Sequence, residues 1–295
     1  MNKLTLTVPS SKNAEDWFLF VNKSLEHLEE DITELIIDFN SIYFLNTDDF
    51  VVLACLIESF YNESCVIKFI GGTEKFNSHL DNVKFKKYWS LGFKREKFTL
   101  SYNKSTLCLW KISSEMIYNY SDYAKKYFKN TFLNDKDLVP LASNLGEVFN
   151  NIFDHSSSPI DGYVITQYFP IKKKLSFSVC DFGIGIADSI NNYYKQNSLK
   201  KIEDWEALLK SITEGFSIES TPQNRGMGLS HLIDFTESSN GELTIISNNG
   251  FLSKRFKKNY SVGHSNFNFK GTLIKVEVDT NTFDEYDESE EIYDL

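Results

Sequence analysis

The stretch Gly146–Ser156, "GEVFNNIFDHS", decides how the chain is read. It places Glu147, Asn151 and His155 at four-residue steps inside a segment with helical apolar spacing. Each such step turns an α-helix by about 40°, so the three side chains form one polar ridge about 80° wide. Leu138, Leu141, Leu145, Val148 and Ile152 fall on a neighbouring stripe centred about 100° away. The ridge therefore borders the buried face, where a ligand can rest against the domain. A solvated helix face satisfies the same spacing, so the segments that follow carry the decision.

After this helix the apolar runs "GYVITQYFP" and "KLSFSVCDF" read as strands, the second leading into "DFGIGI", Asp181–Ile186. An aspartate at a strand end can accept a hydrogen bond from an exocyclic amine. Gly183 and Gly185 carry no Cβ, which lets a flat ring and its ribose approach the backbone. Further on, "NRGMGL" opens the helix "GLSHLIDFTES", with Gly226 and Gly228 just before its first turn. Free N–H groups and the positive end of the helix dipole suit a phosphate chain there. Each piece is common alone; their order and contexts together point to a nucleotide.

Outward from this centre the chain divides. Residues 1–100 alternate strands ("LTLTV", "ELIIDFN", "CVIKFIGG") with helices ("NAEDWFLFVNKSLEHLEE", "DDFVVLACLIESFYNE"), which predicts an α/β unit. Residues 101–280 restart with the strand-like "STLCLWKI" and two helices, the second with a boundary or kink at Pro140. A long variable region, 187–223, precedes the late strands "GELTIIS" and "GTLIKVEV". Helices early and strands late predict an α+β sandwich, with helices on one face of a mixed sheet.

Bulk properties fit this division. A chain of 295 residues suggests about two domains. Its 41% apolar and 24% charged residues are ordinary for a globular protein. No apolar run reaches the roughly 18 residues of a membrane span, and the N-terminus reads as a strand, not a secretory signal. Cys55, Cys65, Cys108 and Cys180 lack metal-ligand spacing and read as buried free thiols in a reducing cytoplasm. The net charge is −10, but setting aside eight acidic residues between Asp279 and Asp294 leaves −2. Residues 281–295 are therefore expected to be a disordered acidic tail or a docking element for a basic partner. Only Arg95, Arg225 and Arg255 are arginines among 31 basic residues. So few bidentate forks on a near-neutral body argue against nucleic acid as the main ligand.

The set "EVFNNIFDH", "DFGIGI", "NRGMGL", "GELTIIS" and "GTLIKVEV" resembles the GHKL, or Bergerat-fold, ATP-binding domain. That fold is shared by DNA gyrase, bacterial heat-shock chaperones, MutL and histidine kinases, and the set also resembles the anti-sigma-factor serine kinases. The resemblance covers roughly residues 105–280. It implies ATP and Mg²⁺ as cofactors, with Asn151 as the metal ligand and Glu147 as general base for a water or an acceptor hydroxyl. Asp181 would read the adenine amine, Gly183 and Gly185 would line the ring, and Thr272 would support the base through a water or hydroxyl contact. Gly226 and Gly228 would present backbone donors to the phosphates, and His155 matches a position that closes the helix near the nucleotide. Ile152 stands where the family commonly has Ala. Arg225 is the one cation beside the lid glycines, either neutralising the γ-phosphate or capping the lid. A carboxylate at 147, close to phosphate charge, favours chemistry over binding alone. No helical hairpin with a phospho-acceptor histidine is read ahead of this domain, so histidine autophosphorylation is not expected.

"LIIDFNSIYFLNTDDFVVLACLIESF" resembles the strand–turn–helix centre of STAS domains, the anti-sigma-factor antagonist fold. There the hydroxyl at the helix start accepts a phosphoryl group. Thr47 is the matching residue, as an acceptor or simply as a helix N-cap. Both resemblances together imply a signalling protein with a regulatory protein partner, and they are compatible with a homodimer. They imply ATP hydrolysis or transfer of the γ-phosphoryl to a partner Ser/Thr. The alternative is an ATP-switched interaction module without turnover.

Overall fold

The computed structural model describes the chain apart from residues 1, 12, 63, 91, 96–104, 113–115, 156–159, 161, 214–227 and 287–295. At 62, 117, 118, 151–155 and 228 it describes the backbone alone. Three strands, β1 (Asn2–Thr7), β2 (Ile32–Asp38) and β3 (Val66–Ile70), pair in parallel in the order β1-β2-β3. Their crossovers carry α1 (Ala14–Leu25) and α2 (Thr47–Asn62), and α3 (Glu74–Asn82) follows β3.

The start of α2 corrects one expectation. The Asp49 carboxylate reaches back to accept from both the Asn46 backbone N–H (2.8 Å) and its side-chain amide (3.0 Å), closing the end at Asn46. Thr47 is not the cap. Its hydroxyl is buried and hydrogen-bonded to Ser176 Oγ (3.1 Å) and Ser178 Oγ (2.8 Å), both in the second sheet.

That second sheet is built from β4 (Trp110–Lys111), β5 (Tyr163–Phe169), β6 (Lys174–Asp181), β7 (Glu242–Arg255) and β8 (Ser261–Asp279). Its order is β4-β5-β6-β8-β7, with every pair antiparallel. Alternate side chains divide its two faces. Val164, Phe177, Val179, Ile245, Ile274 and Val276 enter one core with α4 (Ile117–Thr131), α5 (Val139–His155) and α8 (Gly228–Ser238). Tyr163, Ile165, Cys180, Ile246 and Leu273 enter the other, with Phe18 of α1 and Cys55 of α2. Each fully buried Leu or Phe contributes about 1.5–3 kcal/mol on either side.

The sequence predicted a mixed sheet with helices on one face. The sheet is antiparallel throughout, and α1 and α2 supply a second helical layer. The reason lies in β6, where Ser176 and Ser178 alternate with apolar residues, as on a half-wet strand, yet are 2% and 0% exposed. Thr47 and α2 cover them.

Three aromatic contacts and one thiol hydrogen bond tie this layer to the end of β6. Phe18 stacks on Phe267 (4.5 Å between centroids) and meets Phe269 edge-on (4.6 Å), and Phe269 meets Phe182 edge-on (5.7 Å). The Cys55 thiol donates to the carbonyl of Cys180 (3.3 Å). All four cysteines are buried and free. The described part of the variable region forms α6 (Gly185–Gln196) and α7 (Asp204–Ser211), where the Asn191 side chain holds both the N–H and the carbonyl of Ile202.

Candidate functional site

The Asp137 carboxylate accepts from the Val139 N–H (2.9 Å), so α5 begins at Val139 and Pro140 lies in its first turn, a boundary without a kink. Leu138, Leu141, Leu145 and Val148 are at most 1% exposed, as the apolar stripe requires. Glu147 is half-buried on α5. Asn151 and His155 follow on the same helix, with side chains outside the described set. On this side of the sheet α5 packs against α8 and touches α6.

Asp181 ends β6, directly across from Thr272 of β8. Its carboxyl is 1% exposed, and Oδ1 accepts from the Gly183 N–H at 2.7 Å. Burial pushes the carboxyl up to about 7, while the Gly183 N–H pulls in the other direction. Among the described residues nothing else bonds this carboxylate. It is a buried acceptor that a ligand amine can complete.

The turn after Asp181 lies tight against β7 and β8. Gly185 has φ +81°, and a Cβ there would sit 2.3 Å from Asn248 Oδ1 and 2.6 Å from Ser247 Oγ. Gly271 has φ +116°, and its Cβ would lie 2.1 Å from the Asp181 carbonyl oxygen. Both positions demand glycine. Ser247 Oγ accepts from the Ile186 N–H (2.8 Å), donates to the Gly271 carbonyl (2.8 Å) and lies 3.4 Å from Thr272 Oγ1. A Gly185→Ala variant is expected to lose about 1–3 kcal/mol of stability from the left-handed φ alone. Denaturant unfolding reads that loss; an unchanged midpoint would show that the turn can relax.

The structure thus brings Asp181, Gly183, Gly185 and Thr272 together at one sheet end, with Glu147 on a helix of the same side. Gly228 opens α8, while Arg225 and Gly226 lie outside the described residues. Among the described residues no cluster of His, Cys, Asp or Glu could cage a metal ion, and no helix is long and apolar enough to cross a membrane. Sequence reading missed Ser247, Asn248 and Gly271. "SNNG" belongs to none of the motifs, and Gly271 stands unremarked at the head of "GTLIKVEV".

No protein-family model and no curated protein matches the chain. Among solved structures it is similar to the topoisomerase IV ATP-binding domain of Francisella tularensis in complex with a small-molecule inhibitor, at 12% identity and a TM-score of 0.27. That match covers 64% of this chain and 47% of the other, so the chain spans about half of that structure's length. A likeness at this level bears on neither ligand nor activity. The five-stranded antiparallel sheet with flanking helices is compatible with a GHKL-like fold.

Proposed function

We propose that this chain is a GHKL-type ATP-binding signalling protein that hydrolyses ATP or transfers its γ-phosphoryl to a partner Ser/Thr. The observation that carries the reading is the cradle at the end of β6: a buried, half-paired carboxyl at Asp181, the obligatory glycine at 185, and Thr272 opposite. These groups fit a base bearing an exocyclic amine, because Asp181 supplies the acceptor and Gly185 lets the turn beside it close tightly on Ser247 and Asn248. Asn151, four residues beyond Glu147 on α5, is the residue that would hold Mg²⁺. The ion, when bound, neutralises phosphate charge. In this reading Glu147 takes the proton of the attacking hydroxyl or water. Residues 1–100 serve as a STAS-like reporter, 101–280 as the ATP domain and 281–295 as an acidic tail.

Radiolabelled ATP tests the reading. Label on a partner protein identifies a kinase, and free phosphate identifies an ATPase. A Glu147→Gln variant is expected to keep ATP affinity and lose about 10²–10⁴-fold in turnover. Undiminished turnover in that variant would remove Glu147 from the role of base.

One observation favours the switch without turnover as a second reading. The Cys55 thiol bonds the carbonyl immediately before Asp181, so α2 touches the strand that presents the base acceptor. Binding of ATP without labelled protein or free phosphate would select it. The burial of Thr47 against Ser176 and Ser178 directs the search for an acceptor to other proteins.

A further inference from the structure

We propose that Asn248 is a positioning residue for the base end of the nucleotide site, an inference that rests on the ATP reading above. The strand register breaks at this residue. Ser247 pairs with Thr272 but Asn248 pairs with Phe269, so Lys270 and Gly271 have no partner across the ladder. Asn248 adopts φ +54°, a left-handed conformation inside a strand, and is 7% exposed. Asparagine tolerates that conformation better than most residues, and such outliers persist where surrounding structure holds them.

The bulge turns the Asn248 side chain onto the segment that follows Asp181. Its Nδ2 donates to the Ile184 carbonyl (3.0 Å) and to Asp188 Oδ2 (3.0 Å). Both partners are acceptors only, which fixes which end of the amide faces them. The amide oxygen faces the Ser247 hydroxyl (3.2 Å) and sits over Gly185. One side chain thus binds the residue before Gly185, the residue three after it, and the serine that holds the Ile186 N–H. The turn that carries the Gly183 N–H, and through it the Asp181 carboxylate, has its geometry set from β7.

Asn248→Gly separates positioning from strain. Glycine accepts φ +54° freely, so the backbone keeps its course while both donations vanish. The full chain is titrated with ATP and with adenosine, and its thermal midpoint is measured in parallel. Affinity for both ligands is expected to fall about tenfold with little change in midpoint, the size of one to two lost hydrogen bonds. The exchanged pair, Asn248→Asp with Asp188→Asn, rebuilds the bond between the two side chains and is expected to recover part of that loss relative to Asn248→Asp alone. Wild-type affinity in Asn248→Gly overturns the positioning role and leaves the ATP reading standing. A loss that merely tracks a collapsing midpoint, with no recovery in the exchanged pair, also overturns it. Failure of the unaltered protein to bind either ligand removes both.

Discussion

Replacing Asp181 with Asn is expected to weaken ATP binding by about 10–100-fold, the value of a hydrogen bond to a charged acceptor. It should also abolish a pH dependence expected of the native chain in two opposite senses. With its carboxyl pushed up to about 7 by burial, the folded state holds a proton that the unfolded chain releases near 3.8. The stability of the free protein therefore falls as pH rises between those values and levels off above the upper one. A bound exocyclic amine favours the ionised carboxylate, the stronger acceptor, so ATP affinity climbs over the same range, by at most about tenfold per pH unit, and then flattens. Unfolding curves and calorimetric titrations from pH 5.5 to 8.5 would read both slopes, with the ligand expelling a proton below neutrality. Flat affinity across that range would mean that Asp181 does not meet the ligand.

Arg95→Ala carries the largest expected effect on stability. Glu58 of α2 is 0% exposed, and its Oε2 accepts from Trp89 Nε1 (3.1 Å), from the Tyr163 hydroxyl (2.7 Å) and from Arg95 Nη2. Lys111 lies 3.6 Å from the other oxygen. The Arg95 guanidinium is packed over Tyr61 (4.8 Å) and Tyr88 (5.7 Å). Burial by itself would raise the Glu58 carboxyl, but the Arg95 guanidinium and the Tyr163 hydroxyl hold it below its ordinary 4.5. Its contribution is present above that value and lost as pH falls through the lowered one. Removing the guanidinium strands much of a buried charge and is expected to cost about 3–5 kcal/mol. The double replacement Glu58→Leu with Arg95→Leu should cost less than either single change, because the desolvation of both charges disappears. Equilibrium unfolding of the wild type, Arg95→Ala, both single Leu variants and the double variant checks this, and a loss below about 1 kcal/mol in Arg95→Ala would mean that water reaches the pair.

What could be read in advance depended on how local each demand was. The α5 stripe and the glycines of "DFGIGI" announce themselves because helix period and chain turns are set within a few neighbouring residues. Ser176 and Ser178 did not, because alternation cannot distinguish a wet face from one covered by α2. Asn248 was hidden for a related reason: its work follows from a register break against β8, and no short window contains both strands. The β7–β8 hairpin runs far beyond "GELTIIS" and "GTLIKVEV", since its outer part is polar and half exposed and reads as loop. The Glu58–Arg95–Tyr163 cluster joins residues 37 and 105 positions apart, a distance no spacing rule spans.

The run from Phe18 through Phe269 to Phe182, with Cys55 seated behind Cys180, makes the N-terminal helices the rear wall of the strand end that carries Asp181. Cutting the chain near residue 100 would strip the plaster from that wall, leaving the excised C-terminal piece with a softened socket. An occupied socket, conversely, should slow amide exchange in α1 and α2 on the far side of the sheet, as a keystone steadies both flanks of an arch.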